Sequence, residues 1–100
     1  MIQINGTLKL APDTLSKGRE AIVAMVRASR AEDGCLEYGF AQDLTDPDVL
    51  YLVERWRDRA ALDAHSASPH MAEFKRAMAA NPAMERDLRI FETDDGLPLG

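Results

Sequence analysis

The chain has few of the residues that would place it in an oxidising compartment or in a membrane. Cys35 is its only cysteine, so an internal disulfide is excluded and no oxidising environment is required. No apolar run approaches the roughly 20 residues that a membrane-spanning helix needs. The amino-terminal segment alternates apolar and polar residues, whereas a secretion signal has a basic cluster followed by a continuous apolar stretch. These features predict a cytoplasmic protein without a membrane partner.

Basic side chains are in the minority. Lysine and arginine number 12 against 17 aspartates and glutamates, which gives a net charge of −5. This balance argues against an electrostatic grip on nucleic acid and favours a small-molecule ligand. The sequence also lacks the glycine patterns of a P-loop and of GxGxxG, so no nucleotide or flavin cofactor is indicated.

The length of 100 residues fits one domain. We expect that domain to cover residues 1–95, followed by a loosely held tail over residues 96–100. A domain this short buries a limited core, and pairing with a second copy is a common way to enlarge it. The size therefore favours a homodimer.

The spacing of apolar residues predicts the order of elements. A period of two predicts strands at residues 2–10, 36–41, 49–56 and 84–91. Helical patterns lie between Asp13, a candidate N-cap, and Gly34, and again between Asp58 and Pro82, with a break at Pro69. The order is that of a split βαβ, ferredoxin-like α+β fold, with an antiparallel sheet and helices on one face.

The only two histidines, His65 and His70, flank the break in the second helical region. Histidine titrates near neutral pH, so either residue is a candidate general base or pocket donor. The alternative is an ordinary role in helix capping or on the surface. Their spacing across a proline is not the i, i+4 pair of a helical zinc site, and no second cysteine is present, so we predict no metal.

On the third strand, Glu54 and Trp56 share a face with leucines. A carboxylate on an apolar face needs a partner or a raised pKa, and Arg86 and Arg89 on the fourth strand are candidate partners. An ion pair is favoured over acid–base catalysis. Trp56 either lines a flat aromatic pocket or fills the core.

Three further side chains are candidates for binding a small molecule. The amide of Asn5 on the first strand is suited to holding a carbonyl or phenolate oxygen. Tyr38 and Phe74 are core residues by default, but an apolar cavity for a planar substrate is built from the same residue types. A binding site made of these residues stays a hypothesis beside the ordinary structural interpretation.

Three segments carry a pattern similar to that of the antibiotic-biosynthesis monooxygenase family, and most closely to its quinol monooxygenase branch. They are Gly34-Cys35-x-x-Tyr38, Val53-Glu54-Arg55-Trp56 and Ala61-Leu62-Asp63-Ala64-His65-x-x-Ser68-Pro69-His70-Met71. The resemblance implies a dimeric α+β barrel with a pocket between sheet and helices in each subunit. It also implies oxidation of a hydroquinone or polyphenol by O2, without metal or flavin.

Carried over by residue, the resemblance makes His65 or His70 the base. It implies a substrate site lined by Asn5, Tyr38 and Trp56, with Arg89 as a weaker candidate. Haem degradation, found in another branch, is disfavoured because Lys75 takes the place of a histidine used there. Two alternatives stay open: isomerisation of a small phosphorylated metabolite, since that branch shares the H-x-x-[S/T]-P-H segment, and a non-catalytic small-molecule-binding dimer.

Overall fold

The computed structural model describes residues 1–100 and contains one four-stranded antiparallel sheet with three helices. The elements are β1 (Ile2–Lys9), α1 (Thr14–Arg30), β2 (Cys35–Gln42), β3 (Val49–Trp56), α2 (Arg59–Ser66), α3 (Pro69–Met78) and β4 (Glu85–Glu92). The strand order is β2-β3-β1-β4, so the predicted ferredoxin-like α+β fold is confirmed. None of the helices combines the length and apolar character of a bilayer span.

The helices cover one face of the sheet. Strand register brings Ile4 opposite Glu54 and Ile2 opposite Trp56, so these alternate side chains point to the same side. The predicted faces of the third strand are therefore confirmed. The main core lies between this side and the helices, and its buried members are Ile2, Met25, Tyr38, Leu52, Trp56, Ala61 and Leu62.

A β-bulge at the start of β2 changes which side chains face the core. Cys35 pairs with Trp56 and Glu37 with Arg55, so Leu36 is the extra residue between the two pairs. The predicted period of two over residues 36–41 puts Leu36 on the same face as Tyr38, which is wrong, because Leu36 is 53% exposed. The bulge nevertheless leaves Tyr38 pointing inward, opposite Glu54.

Side-chain caps mark where α2 and α3 begin. The carboxylate of Asp58 accepts the backbone N–H of Ala61 at 2.9 Å, and the hydroxyl of Ser68 accepts that of Met71 at 3.3 Å. Asp13 differs, because at φ 69° its side chain makes no cap hydrogen bond. The break between the two helices separates His65, in the last turn of α2, from His70, in the first turn of α3.

Candidate functional site

Four of the residues predicted for the site converge beneath the α2–α3 break. The ring centroid of His65 lies 4.6 Å from that of Trp56, 5.3 Å from that of Tyr38 and 5.9 Å from that of His70. His65 comes from the last turn of α2 and His70 from the first turn of α3. The capped break therefore brings both imidazoles over the aromatic residues of β2 and β3.

Glu32, which the sequence analysis did not single out, links the two histidines. Its Oε2 lies 2.6 Å from Nδ1 of His65 and 3.3 Å from Nε2 of His70. Glu32 belongs to the turn after α1, where an acidic residue before Asp33-Gly34 is ordinary in sequence. No periodicity marks this residue, because its role depends on contacts that only the tertiary fold creates.

Glu54 lies on the other side of His65. Its Oε1 accepts a hydrogen bond from the indole N–H of Trp56 at 3.0 Å and lies 3.9 Å from Nε2 of His65. The expectation of an arginine partner from β4 is wrong: Arg89 contacts Asp87 at 3.2 Å, and Arg86 is exposed. Register places Arg89 opposite Asn5, on the other face of the sheet, where it does not meet Glu54.

Burial shapes the protonation of two of these groups. It raises the pKa of Glu54, although the hydrogen bond from Trp56 and the charge of His65 act in the opposite direction. Burial also raises the pKa of the Tyr38 phenol, and the nearby Glu54 carboxylate adds to the rise. Tyr38 therefore stays protonated and available as a hydrogen-bond donor throughout the physiological pH range.

The cluster is reached from the side of His70. Its side chain is 24% exposed and that of Glu32 17%, whereas that of His65 is 4% and Trp56 is fully buried. Nε2 of His70 is itself buried and has no hydrogen bond of acceptable geometry. His70 is thus the member of the pair that a ligand meets first.

Two clefts open on the surface around the sheet, and neither is lined by His65 or His70. One of about 320 Å³ runs beside β2 and includes Arg30, Cys35 and Tyr38. Another of about 310 Å³ lies between α1 and the sheet and includes Ile22 and Phe40. A substrate bound in the first cleft would lie next to the Tyr38 side of the cluster.

The remaining predicted site residues lie on different sides of the sheet. Asn5 pairs with Val53 on one side and Arg89 on the other, which places Asn5 and Arg89 on the uncovered face of the sheet, away from the histidines. Phe74, on α3, packs against the core on the helix side. In the two-residue period of β1, Asn5 lies on the other face of the strand from Ile2 and Ile4. The period alone therefore excludes Asn5 from the face that carries the histidine cluster.

The donor atoms of Glu32, His65 and His70 lie within 4.8 Å of one another, which is the spacing of a possible metal cluster. Two ligands held about 2.1 Å from one tetrahedral ion stand roughly 3.4 Å apart. The 2.6 Å between Glu32 Oε2 and His65 Nδ1 is instead the length of a strong hydrogen bond. In this arrangement the carboxylate of Glu32 and the imidazole of His65 are joined by a hydrogen bond.

Several known proteins resemble this chain in sequence and in architecture. The family profile described as "Antibiotic biosynthesis monooxygenase" matches residues 1–77. Uncharacterized protein sll1783 of Synechocystis is 34% identical over 95 residues, covering 92% of this chain and 65% of its own. YgiN of Escherichia coli, named as a probable quinol monooxygenase, is 29% identical over 69 residues, covering 61% of this chain and 65% of its own.

Rv0793 of Mycobacterium tuberculosis, whose name assigns it provisionally as a monooxygenase, is 42% identical over 64 residues, which are 64% of this chain and 62% of Rv0793. The chain thus spans slightly under two thirds of the length of the curated relatives it matches. The solved structure of Rv0793 superposes with a TM-score of 0.83 at 28% identity, covering 97% of this chain and 98% of that one. With the profile matching from β1 into α3, the chain belongs to the antibiotic biosynthesis monooxygenase family.

Proposed function

We propose that this protein oxidises a small, neutral hydroquinone or polyphenol with O2, without a metal or flavin. The observation that carries the proposal is the pair of imidazoles joined by Glu32 beside Tyr38 and Trp56. Family membership supports it, and so does the printed name of YgiN. An imidazole held by a carboxylate in a largely dry site is a suitable acceptor for a phenolic proton.

The proposed reaction needs no electrons beyond those of the substrate. Deprotonation turns the hydroquinone into an electron-rich phenolate, which passes one electron to O2. The resulting radicals combine into a carbon-bound hydroperoxide, and loss of water leaves a new carbonyl. Hydroquinone and O2 thus give hydroxyquinone and water, and each product receives one of the two atoms of O2. The protein supplies orientation, a proton acceptor and stabilisation of the developing charge.

Exposure suggests a division of roles within the cluster. His70 would accept the phenolic proton, because its side chain is the most accessible of the group. His65 would lie behind it and stabilise the transferred charge through the shared Glu32 carboxylate. Trp56 is fully buried against His65, so its role would be to support that ring and not to stack on the substrate.

Electrostatics favours a neutral substrate over the phosphorylated metabolite of the isomerase alternative. The carboxylate of Glu32 contacts both imidazoles, and that of Glu54 lies 3.9 Å from His65. Two carboxylates within the site repel an anionic ligand, whereas a phenolic hydroxyl donates a hydrogen bond to the same groups. The charge of the cluster is therefore complementary to a phenol.

The test is oxygen uptake by chelator-treated protein with a panel of hydroquinones and anthrone-type phenols. We expect turnover that depends on O2, survives chelation and falls on the order of 10²-fold in His70→Ala. His65→Ala would show a similar loss, with circular dichroism to check that it folds. Glu20→Gln, an exposed change on α1, serves as the control that keeps full activity. A rate no higher than the non-enzymatic one for every compound would contradict the proposal.

We also propose that the working form is a homodimer joined through the uncovered face of the sheet. Tyr51 is 50% exposed there and Phe91 46%, and both carry large apolar surfaces. A shallow groove of about 460 Å³ lined by Asn5, Tyr51 and Val53 lies on this face. Nε of Arg55, on the same face, is buried without a hydrogen-bond acceptor. A second copy of the sheet would cover the apolar side chains and offer such an acceptor.

A further inference from the structure

We propose that Glu32 is the positioning residue of this site: one oxygen of its carboxylate orients the imidazole of His65, fixes the proton of neutral His65 on Nδ1 and faces the ring of His70. The inference rests on the proposed function, since it assigns how the two proposed bases are held. The ring of His65 makes no other hydrogen bond to protein, and Nε2 of His70 meets Glu32 only in a contact of poor hydrogen-bond geometry. The next contact, between His65 Nε2 and Glu54 Oε1, is 3.9 Å and too long for a hydrogen bond.

One carboxylate oxygen of Glu32 contacts residues of two different helices. Oε2 lies 2.6 Å from Nδ1 of His65 on α2 and 3.3 Å from Nε2 of His70 on α3, while Glu32 itself follows α1. Its side chain is mostly buried, so water competes weakly for the same oxygen. Loss of this carboxylate would therefore release the ring of His65 and remove the charge that faces His70.

The backbone around Glu32 holds the carboxylate in place before any substrate binds. The N–H of Glu32 donates to the carbonyl of Ser29 at 3.0 Å, and its own carbonyl accepts from Cys35 at 3.1 Å. The turn also lies directly against α2: Gly34 has φ +83°, and a Cβ there would stand 2.6 Å from Cβ of Ala61. Only glycine suits that contact and conformation, so the turn is closely fitted to the helix that carries His65.

The chemistry of the pair fixes the proton. An ionised carboxylate only accepts hydrogen bonds, so the neutral imidazole of His65 must place its single N–H on Nδ1. Its Nε2 is then the free lone pair. The titratable groups that face the two rings are Glu32 from the turn after α1, Tyr38 from β2 and Glu54 from β3. Of these, only the Glu32 carboxylate is within hydrogen-bond distance of an imidazole.

The direct test does not depend on turnover. Nitrogen-15 NMR of the imidazoles should show neutral His65 protonated at Nδ1 in the wild type. In Glu32→Gln the amide both donates and accepts, so the Nδ1-protonated form should fall to a mixture of tautomers. Glu20→Gln, an exposed change on the neighbouring helix, should leave the spectrum unchanged. A wild-type His65 protonated at Nε2, or a spectrum that Glu32→Gln does not alter, would overturn the proposal.

The kinetic test separates positioning from simple support of the fold. On any quinol that the wild type oxidises, Glu32→Gln should lower kcat on the order of 10²-fold while KM changes little, because the substrate contacts remain. Glu32→Asp keeps the charge and should recover part of the loss. An unchanged kcat in Glu32→Gln would overturn the proposal. If no quinol is turned over by the wild type, the proposed function fails, and the NMR result still decides the role of Glu32.

Discussion

At the scale of single residues, Glu54 carries the main electrostatic cost in the core. Its carboxylate is buried, and the indole N–H of Trp56 compensates only part of the lost hydration. The pKa of Glu54 is consequently raised above 4.5, so the native protein keeps a proton that the unfolded chain releases at lower pH. The stability this proton provides is fully present below the pKa of the unfolded chain and is lost as pH rises through the folded pKa.

Glu54→Gln should remove this pH dependence. The wild-type free energy of unfolding should fall relative to that of the variant as pH rises above 4.5, by about 1.4 kcal/mol for each unit that separates the folded and unfolded pKa. Urea denaturation at several pH values between about 4 and 8 measures the difference. Glu92→Gln, an exposed change on β4, should run parallel to the wild type. Parallel curves for Glu54→Gln as well would show that burial does not shift this carboxylate.

Some residues of the candidate site could be predicted from the sequence, and others could not. The two-residue period correctly put Glu54 and Trp56 on the core face of β3. The period did not predict that Glu32 belongs to the site, because this turn residue enters it only through its contact with His65, which is far along the chain. It also left Asn5 in the predicted site, although the period itself placed that side chain on the opposite face.

At the scale of elements, Gly6 determines how closely β1 and β4 approach. A glycine inside a strand often marks a bulge, but the pairing of β1 with both neighbours is continuous through Gly6. The glycine is needed for another reason: φ is +153°, and a Cβ would overlap the carbonyl oxygen of Asp87 across the strand pair. The requirement for glycine at this position comes from the backbone of the neighbouring strand β4 and not from the local sequence of β1.

Gly6→Ala should therefore weaken the β1–β4 pairing. Strained backbone at a non-glycine residue costs on the order of 1–3 kcal/mol, and the backbone overlap with Asp87 should place this variant at the upper end. The measurement is the midpoint of thermal or urea unfolding. Gly39→Ala is the matched control, because that Cβ would meet only the side chain of Arg30 at 3.5 Å, an ordinary contact. Equal stability of the two variants would contradict the close approach at Gly6.

At the scale of the whole molecule, the order of elements and the side of the sheet they cover followed from the sequence. Turn and cap residues such as Asp58 and Ser68 mark where the helices begin, and alternation marks the strands. The sequence pattern did not reveal the bulge at Leu36, which depends on how β2 pairs with β3. It did not reveal the contacts of the histidines either, because these depend on how α2 and α3 pack against segments distant in sequence. Patterns of local period specify elements, whereas sites arise where several elements meet.

The uncovered face of the sheet is the surface through which we propose that two copies pair. Val53 lies near its centre on β3, between Asn5 of β1 and Gly39 of β2. If a second sheet packs there, Val53→Asp places a charge in the contact and should shift the protein toward a monomer of 11.1 kDa. The wild type should sediment at about twice that mass at micromolar concentration.

Val23→Asp provides the control, since Val23 is a half-exposed valine on α1, away from the uncovered face, and its substitution should leave the dimer intact. A wild type that sediments as a monomer would contradict the dimer. A dimer that survives Val53→Asp but dissociates in Val23→Asp would place the contact on the helices. In that case the buried, unpartnered Nε of Arg55 would need an acceptor from water and not from a second sheet.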